Sequence, residues 1–124
     1  MSLIPDFLIK RVYKKGSLRE TAEGIAFDLK NLLGPGVVTG INFIKINDNV
    51  YNSSVIKLIS SGMITIAEHI SPENPLNFRL HQEGTLLLEG AKGLKEGLNK
   101  IILEVISRDA GKVQITLTDT YNLA

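Results

Sequence analysis

Apolar residues recur at every second position in several short runs, and polar or glycine-bearing stretches separate the runs. The clearest case is Leu98–Asp119. In its second half Val113, Ile115 and Leu117 fall on one side, while Gln114, Thr116 and Thr118 fall on the other. That two-residue period marks a strand with one face in a core and one in water. In the first half, Ile101, Leu103 and Val105 share a face, and the opposite face mixes Lys100, Ile102, Glu104 and Ile106. Between the halves lies Arg108–Gly111, a short polar linker with a glycine where a hairpin turn needs positive φ. Two antiparallel strands follow from this pattern, one of them central.

The rest of the chain repeats the theme in shorter pieces. Ile4–Tyr13 is ambiguous between a helical turn begun at Pro5 and an edge strand, and an extended strand from about Leu8 to Tyr13 is expected. Gly24–Asn31 reads as a strand with Ile25, Phe27 and Leu29 inward and Asp28 and Lys30 outward. Leu32–Gly36 breaks it, because Pro35 lacks an amide donor and the flanking glycines permit sharp bends. Val37–Ile46 resumes as a long strand, and Gly40 in its middle suggests a bulge or a close backbone contact. Asn47–Asn49 is a turn. A short strand or a crossing segment is expected within Val50–Ser60 around Val55–Leu58, and further strands at Met63–Ile70, at Asn77–Leu80 and at Thr85–Glu89. Gly90–Gly97 is expected to be a loop with one helical turn. Seven to nine strands with turn signals roughly every 8 to 12 residues indicate an all-β fold. An antiparallel β-sandwich over residues 1–124 as one domain is the expectation, with a closed or partly open β-barrel as the alternative, because each single-faced sheet must cover its apolar side.

Composition narrows the function classes. The 124 residues carry 44% apolar residues and a formal charge of +1, ordinary values for a soluble globular protein. The absence of cysteine removes disulfides, thiolate metal sites and thiol nucleophiles, and fits a cytoplasmic location. No apolar run approaches a membrane span, and Asp6 interrupts the short apolar start, which does not read as a signal peptide. Met1–Leu3 has the look of a cloning leader. Near-neutral charge and few aromatic residues argue against a nucleic-acid binder.

Candidate chemistry is sparse. His69 and His81 are the two side chains that titrate near neutrality unperturbed, yet they form no metal-spaced pair with Glu68, Glu83 or each other. Asp28 and Asp119 are the carboxylates of most interest, with a turn or ion-pair role the simpler reading. Lys10, Arg11, Lys14, Lys15 and Arg19 place five of the fourteen basic residues within ten positions. They offer a phosphate or acidic-partner patch, or, more simply, lysines that block a sheet edge. Gly90–Gly97 lacks phosphate-loop spacing. No catalytic, cofactor-binding or metal-binding residue is assigned.

Several stretches carry a resemblance. Lys15–Glu20, then Gly24–Asn31, then a Pro/Gly break and a long strand ending at Ile46–Asp48, resemble the small β subunits of C-glycoside deglycosidases. Gly93–Ile101 and Ala110–Asp119 look like that family's closing hairpin. The resemblance implies a β-sandwich working beside a larger barrel subunit that holds the metal and the acid/base residues. The family's loop with aromatic and arginine residues has no counterpart in Leu32–Gly36, and no family catalytic residue falls on a position here. The expected function is a non-catalytic accessory or interaction subunit, without activity of its own. It would associate as a homo-oligomer or with a barrel-type enzyme subunit, and with neither nucleic acid nor membrane. Outward Ile102 and Ile106, with the loops Gly34–Gly36 and Gly90–Gly97, would form the contact. The alternative is a small-molecule or carbohydrate binder, or a weak hydrolase, with a pocket lined by Tyr13, Tyr51 or Tyr121.

Overall fold

A computed structural model describes residues 10–122. Ten strands form two open antiparallel sheets: β1 (Arg19–Glu20), β2 (Gly24–Lys30), β3 (Gly36–Ile46), β4 (Asn49–Asn52), β5 (Ile56–Ser60), β6 (Met63–Ile66), β7 (Leu76–Phe78), β8 (Glu83–Glu89), β9 (Gly97–Ser107) and β10 (Gly111–Tyr121). The first sheet has the order β1-β2-β8-β5-β6, and the second has β10-β9-β3-β4, with β7 added beside the start of β3. Neither sheet closes on itself, so the fold is a sandwich and not the barrel held as the alternative.

The closing hairpin is where the alternation places it. β9 and β10 pair without a slip from Ser107–Gly111 to Gly97–Tyr121. β9 is also flanked by β3, which makes it central, whereas β10 is an edge. Gly111 takes φ +71 at the turn. Between the sheets, Ile25, Phe27, Ile44, Ile56, Leu88 and Ile101 are almost wholly buried. Burial of each such side chain contributes about 1.5–3 kcal/mol. Val113 joins the buried set, and Ile115 and Leu117 pack against it.

β3 crosses to the second sheet after the Leu32–Gly36 break. Its register slips between Val38 and Gly40 and again between Ile41 and Phe43. At the first slip Ile106 lies over Gly40, whose added Cβ would meet the Ile106 Cδ1 at 3.4 Å. Buried Asn31 fixes the break itself. Its amide nitrogen donates to the Gly34 and Phe78 carbonyls at 2.7 and 2.9 Å, and its oxygen accepts from the Leu33 amide.

Three local expectations need correction. Of the strand expected at Leu8–Tyr13, residues 8 and 9 lie outside the described part. Lys10–Val12 form a 3-10 turn, and Tyr13 makes only an isolated bridge with Leu29. Val12 and Tyr13 line one small internal cavity, an arrangement that consecutive residues of a strand cannot adopt. Met63–Ile70 is a strand only to Ile66. The 3-10 turn Ala67–His69 follows and buries both Ala67 and Ile70, which a continuous strand would send to opposite faces. The short strand expected around Val55–Leu58 is present as β5, and before it comes a 3-10 turn at Ser53–Val55, capped by Asn52 accepting from the Ser54 amide at 3.0 Å. Gly90–Gly97 contains no helical turn. Instead buried Asn99 pins that loop to β9, accepting from the Lys95 amide at 2.9 Å and donating to the Lys95 and Gly97 carbonyls.

Candidate functional site

Asp119 continues the inward row of Val113, Ile115 and Leu117, and it is only 3% exposed. A carboxylate in that row is tolerable only if its oxygens are satisfied. They are: the Tyr13 hydroxyl donates at 2.6 Å, the Gly16 amide at 2.8 Å and the Thr120 amide at 2.8 Å. Burial by itself raises the Asp119 pKa, but these donors outweigh it and bring the group below its ordinary value. Burial, followed by the bond to Asp119, pushes the Tyr13 phenol far above the ordinary tyrosine range. The pair is therefore a protonated phenol held on an ionised carboxylate, with no proton to exchange near neutrality.

Asp28 makes a second tie. It accepts from Arg19 at 3.1 Å and from the Thr85 hydroxyl at 2.7 Å, while its own amide donates to the Ser17 hydroxyl at 2.9 Å. Burial opposes its ionisation, yet Thr85 and Arg19 prevail and lower its pKa. Both aspartates thus secure the segment Tyr13–Glu20 along β2 and under β10, Asp28 through the ion pair expected of it and Asp119 through uncharged donors instead. Tyr13 as the partner of Asp119 was not legible, since 106 residues separate the two.

The remaining candidates disperse. His69 is exposed at the end of the turn after β6, and His81 sits exposed in a tight loop at φ +67, its amide donating to the Asn31 carbonyl at 2.7 Å. No group of three metal-ligating side chains converges among the described residues. In the basic run, Lys14 pairs with Glu83 at 3.2 Å and Arg19 with Asp28. Arg19 lies on the two-residue edge strand β1, but Lys14 and Lys15 lie in the turn before it, so edge blocking falls to Arg19. Tyr51 is on β4 and Tyr121 on β10, opposite edges of the second sheet, and Tyr13 borders an apolar cavity of about 40 Å³, too small for a sugar or similar ligand.

The outer face of the second sheet does gather residues. Register rows run Thr116–Ile102–Lys45–Val50 and Gln114–Glu104–Phe43–Asn52, with Ile106 over Gly40 next to them. The slip at Ile41/Phe43 is what turns Phe43 outward beside Asn42, leaving Ile41 and Ile44 in the core. Asn42 donates to Glu104 at 2.7 Å. The result is a half-buried apolar stripe of Phe43, Ile102 and Ile106, ending at Val50, which is 62% exposed. Lys45, Lys100 and Lys112 surround it, with Glu104 the acidic residue of those rows. Ile102 and Ile106 were readable from the alternation. Phe43 was not, although the odd spacing of Ile41, Phe43 and Ile44 hinted at a bulge.

Comparison with known families decides the relationship. The sequence matches the family described as hydroxymethylglutaryl-CoA reductase, N-terminal domain, over residues 8–122. The chain belongs to that family. This overturns the resemblance to C-glycoside deglycosidase β subunits, whose supporting stretches, such as Gly24–Asn31 and Ala110–Asp119, are alternation and glycine turns that any antiparallel sheet requires. No curated protein matches the chain. None of its described helices is long and apolar enough to cross a membrane.

Proposed function

We propose that the chain is a non-catalytic interaction module that docks through the outer face of the β10-β9-β3-β4 sheet. One observation carries the reading: Phe43, Ile102, Ile106 and Val50 form an apolar stripe on a face turned away from the core. A sandwich needs only one apolar face per sheet, so a second one marks a contact surface. The lysines around the stripe suit a partner with an acidic rim, since rim charges set orientation and encounter rate. The tightly held loops at Leu32–Gly36 and Gly90–Gly97 offer preorganised edges to the contact. The family name supplies the first partner to test, the remainder of a hydroxymethylglutaryl-CoA reductase.

The experiment compares tagged wild-type chain with Ile102→Glu. The reductase remainder, or a host protein recovered by the wild type, is expected to lose at least tenfold in recovery with Ile102→Glu, while the thermal midpoint changes little. Light scattering gives the homo-oligomeric case the same readout. A wild type that stays monomeric at high concentration, and retains nothing that the variant fails to retain, overturns the reading.

A further inference from the structure

A second surface lies on the far side of the sandwich from the Tyr13–Asp119 tie. β6 pairs with β5 alone, so one of its edges is free among the described strands. The register sets Met63 opposite Ser60 and Thr65 opposite Leu58, which turns Met63 and Thr65 toward the second sheet. Yet Met63 is 71% exposed. An inward-facing methionine in that condition means that, among the described residues, no strand of the second layer covers it. The space is a groove of about 670 Å³, between β5–β6 and the short β7, with Met63, Leu58, Leu76 and Phe78 among its apolar walls.

Arg79, in the loop after β7, is the one charged side chain among the described residues that line the groove. It has no ion-pair partner among the described residues. Gln82 holds its backbone in place, accepting from the Arg79 amide at 2.9 Å while donating to the Ser60 hydroxyl at 2.9 Å. The guanidinium can thus meet a carboxylate in a charge-assisted pair.

The edge itself is suited to a strand. Ser61 and Gly62 form a two-residue hairpin loop at φ +52 and +76, so Ser60 and Met63 are the closing pair. Hydrogen-bonded residues alternate along a ladder, which leaves Ile64 and Ile66 with N–H and C=O directed to the free edge. Four residues of edge and an exposed Ile64 (65%) lack the usual protection by charge or proline.

From this geometry we infer that β6 accepts an extended peptide segment of another polypeptide as an added strand, with an acidic side chain of that segment paired to Arg79. Peptide residues opposite Met63 and Thr65 face the groove and replace the missing layer. Those opposite Ile64 and Ile66 share their backbone hydrogen bonds. The inference is independent of the outer face of the second sheet, because none of the stripe residues lines this groove.

The test pans a random decapeptide display library on the full chain, with the Arg79→Glu protein as counter-target. Enriched peptides are expected to alternate apolar residues, to carry aspartate or glutamate and to lack proline between them. A synthetic copy of the most enriched peptide should slow hydrogen exchange of the Ile64 and Ile66 amides at least tenfold. Its affinity should fall at least tenfold with Arg79→Gln and again with Met63→Lys, both at exposed sites that leave the fold intact. Absence of enrichment overturns the inference, as does equal enrichment on Arg79→Glu, or protection that appears on β10 instead of β6. Decanoate serves as the small-molecule control. If it fills the groove and displaces every peptide while those two amides stay unprotected, the site takes amphipathic acids and the peptide inference fails.

Discussion

Along the side of the sandwich where β1 and β10 run, a buried carboxylate, a phenol and backbone amides lace the two layers together. Along the side where β6 and β7 run, the layers part around an open groove, and an inward methionine meets solvent. The same alternating pattern builds both sides, so the difference comes from what fills the gap between sheet edges. One side is closed by the chain's own segment Tyr13–Glu20. The other has, among the described residues, the three residues of β7 at the groove and the 3-10 turns Ser53–Val55 and Ala67–His69 away from it. Substitutions on the closed side should therefore be felt strongly, and those on the open side absorbed.

Gly24 offers the hardest test of the closed side. It begins β2 at φ +150, and a Cβ added there would sit 2.0 Å from the Leu88 carbonyl oxygen and 3.0 Å from the Gly90 nitrogen. Both obstacles are backbone, at the edge where β8 ends and Gly90 follows, which cannot swing aside as a side chain does. Gly24→Ala is expected to cost more than about 4 kcal/mol or to prevent folding, the range reserved for strain at a special backbone position. Urea denaturation reads the loss; a cost below about 1 kcal/mol would show that this edge is loose.

The Tyr13–Asp119 tie should come next. Asp119→Asn removes the charge that three donors share and turns an amide toward one of them. A loss of about 2–3 kcal/mol at pH 7 follows, the size of hydrogen bonds to a charged group. Tyr13→Phe should cost somewhat less, because the backbone donors remain. The sign with pH is fixed by the lowered pKa of Asp119. A carboxylate whose folded pKa lies below its unfolded value stabilises the fold above about pH 4, the unfolded range. That stabilisation fades as pH falls through the folded value. Asp28 is lowered in the same sense and adds to the acid loss. Unfolding free energies at pH 7 and pH 2.5 should then differ less for Asp119→Asn than for the wild type. An unchanged difference would mean that Asp119 is not the acid-sensitive group.

The layered fold was legible because period-two alternation survives in the sequence wherever a strand has one wet face, as at Val113–Thr118 and Ile101–Val105. What escaped was set by contacts between distant residues. Asp119 reads as the polar end of a strand until Tyr13 and Gly16 are seen to cap it. Asn31 and Asn99 read as polar residues at strand ends, yet each is buried and organises a glycine loop through both ends of its amide. Phe43 changes face because the strand slips by one residue, and a slip moves a side chain across the sheet without altering composition. The groove left even less trace. Met63 follows the alternation faithfully, and its exposure depends on a neighbouring layer that the sequence near it does not describe.

Gly84 brings the comparison to its mildest case. It is buried in β8, at an ordinary backbone conformation, and a Cβ there would come within 2.9 Å of the Leu58 Cδ1. The obstacle is the far end of a flexible side chain. Leu58 borders both the groove and a small apolar cavity of about 60 Å³, so its methyl has somewhere to go. Relief of the clash costs about 1 kcal/mol or a little more. Replacing glycine in a strand returns about 0.5–1 kcal/mol by restricting the unfolded chain. Gly84→Ala should therefore change stability by less than about 1 kcal/mol, against the severe loss at Gly24, although both glycines are buried in paired strands of the first sheet. A loss of 3 kcal/mol at Gly84 would mean that Leu58 is held as rigidly as the backbone around Gly24. The open side would then be no more yielding than the closed one, and the room assigned to an added strand would be in doubt with it.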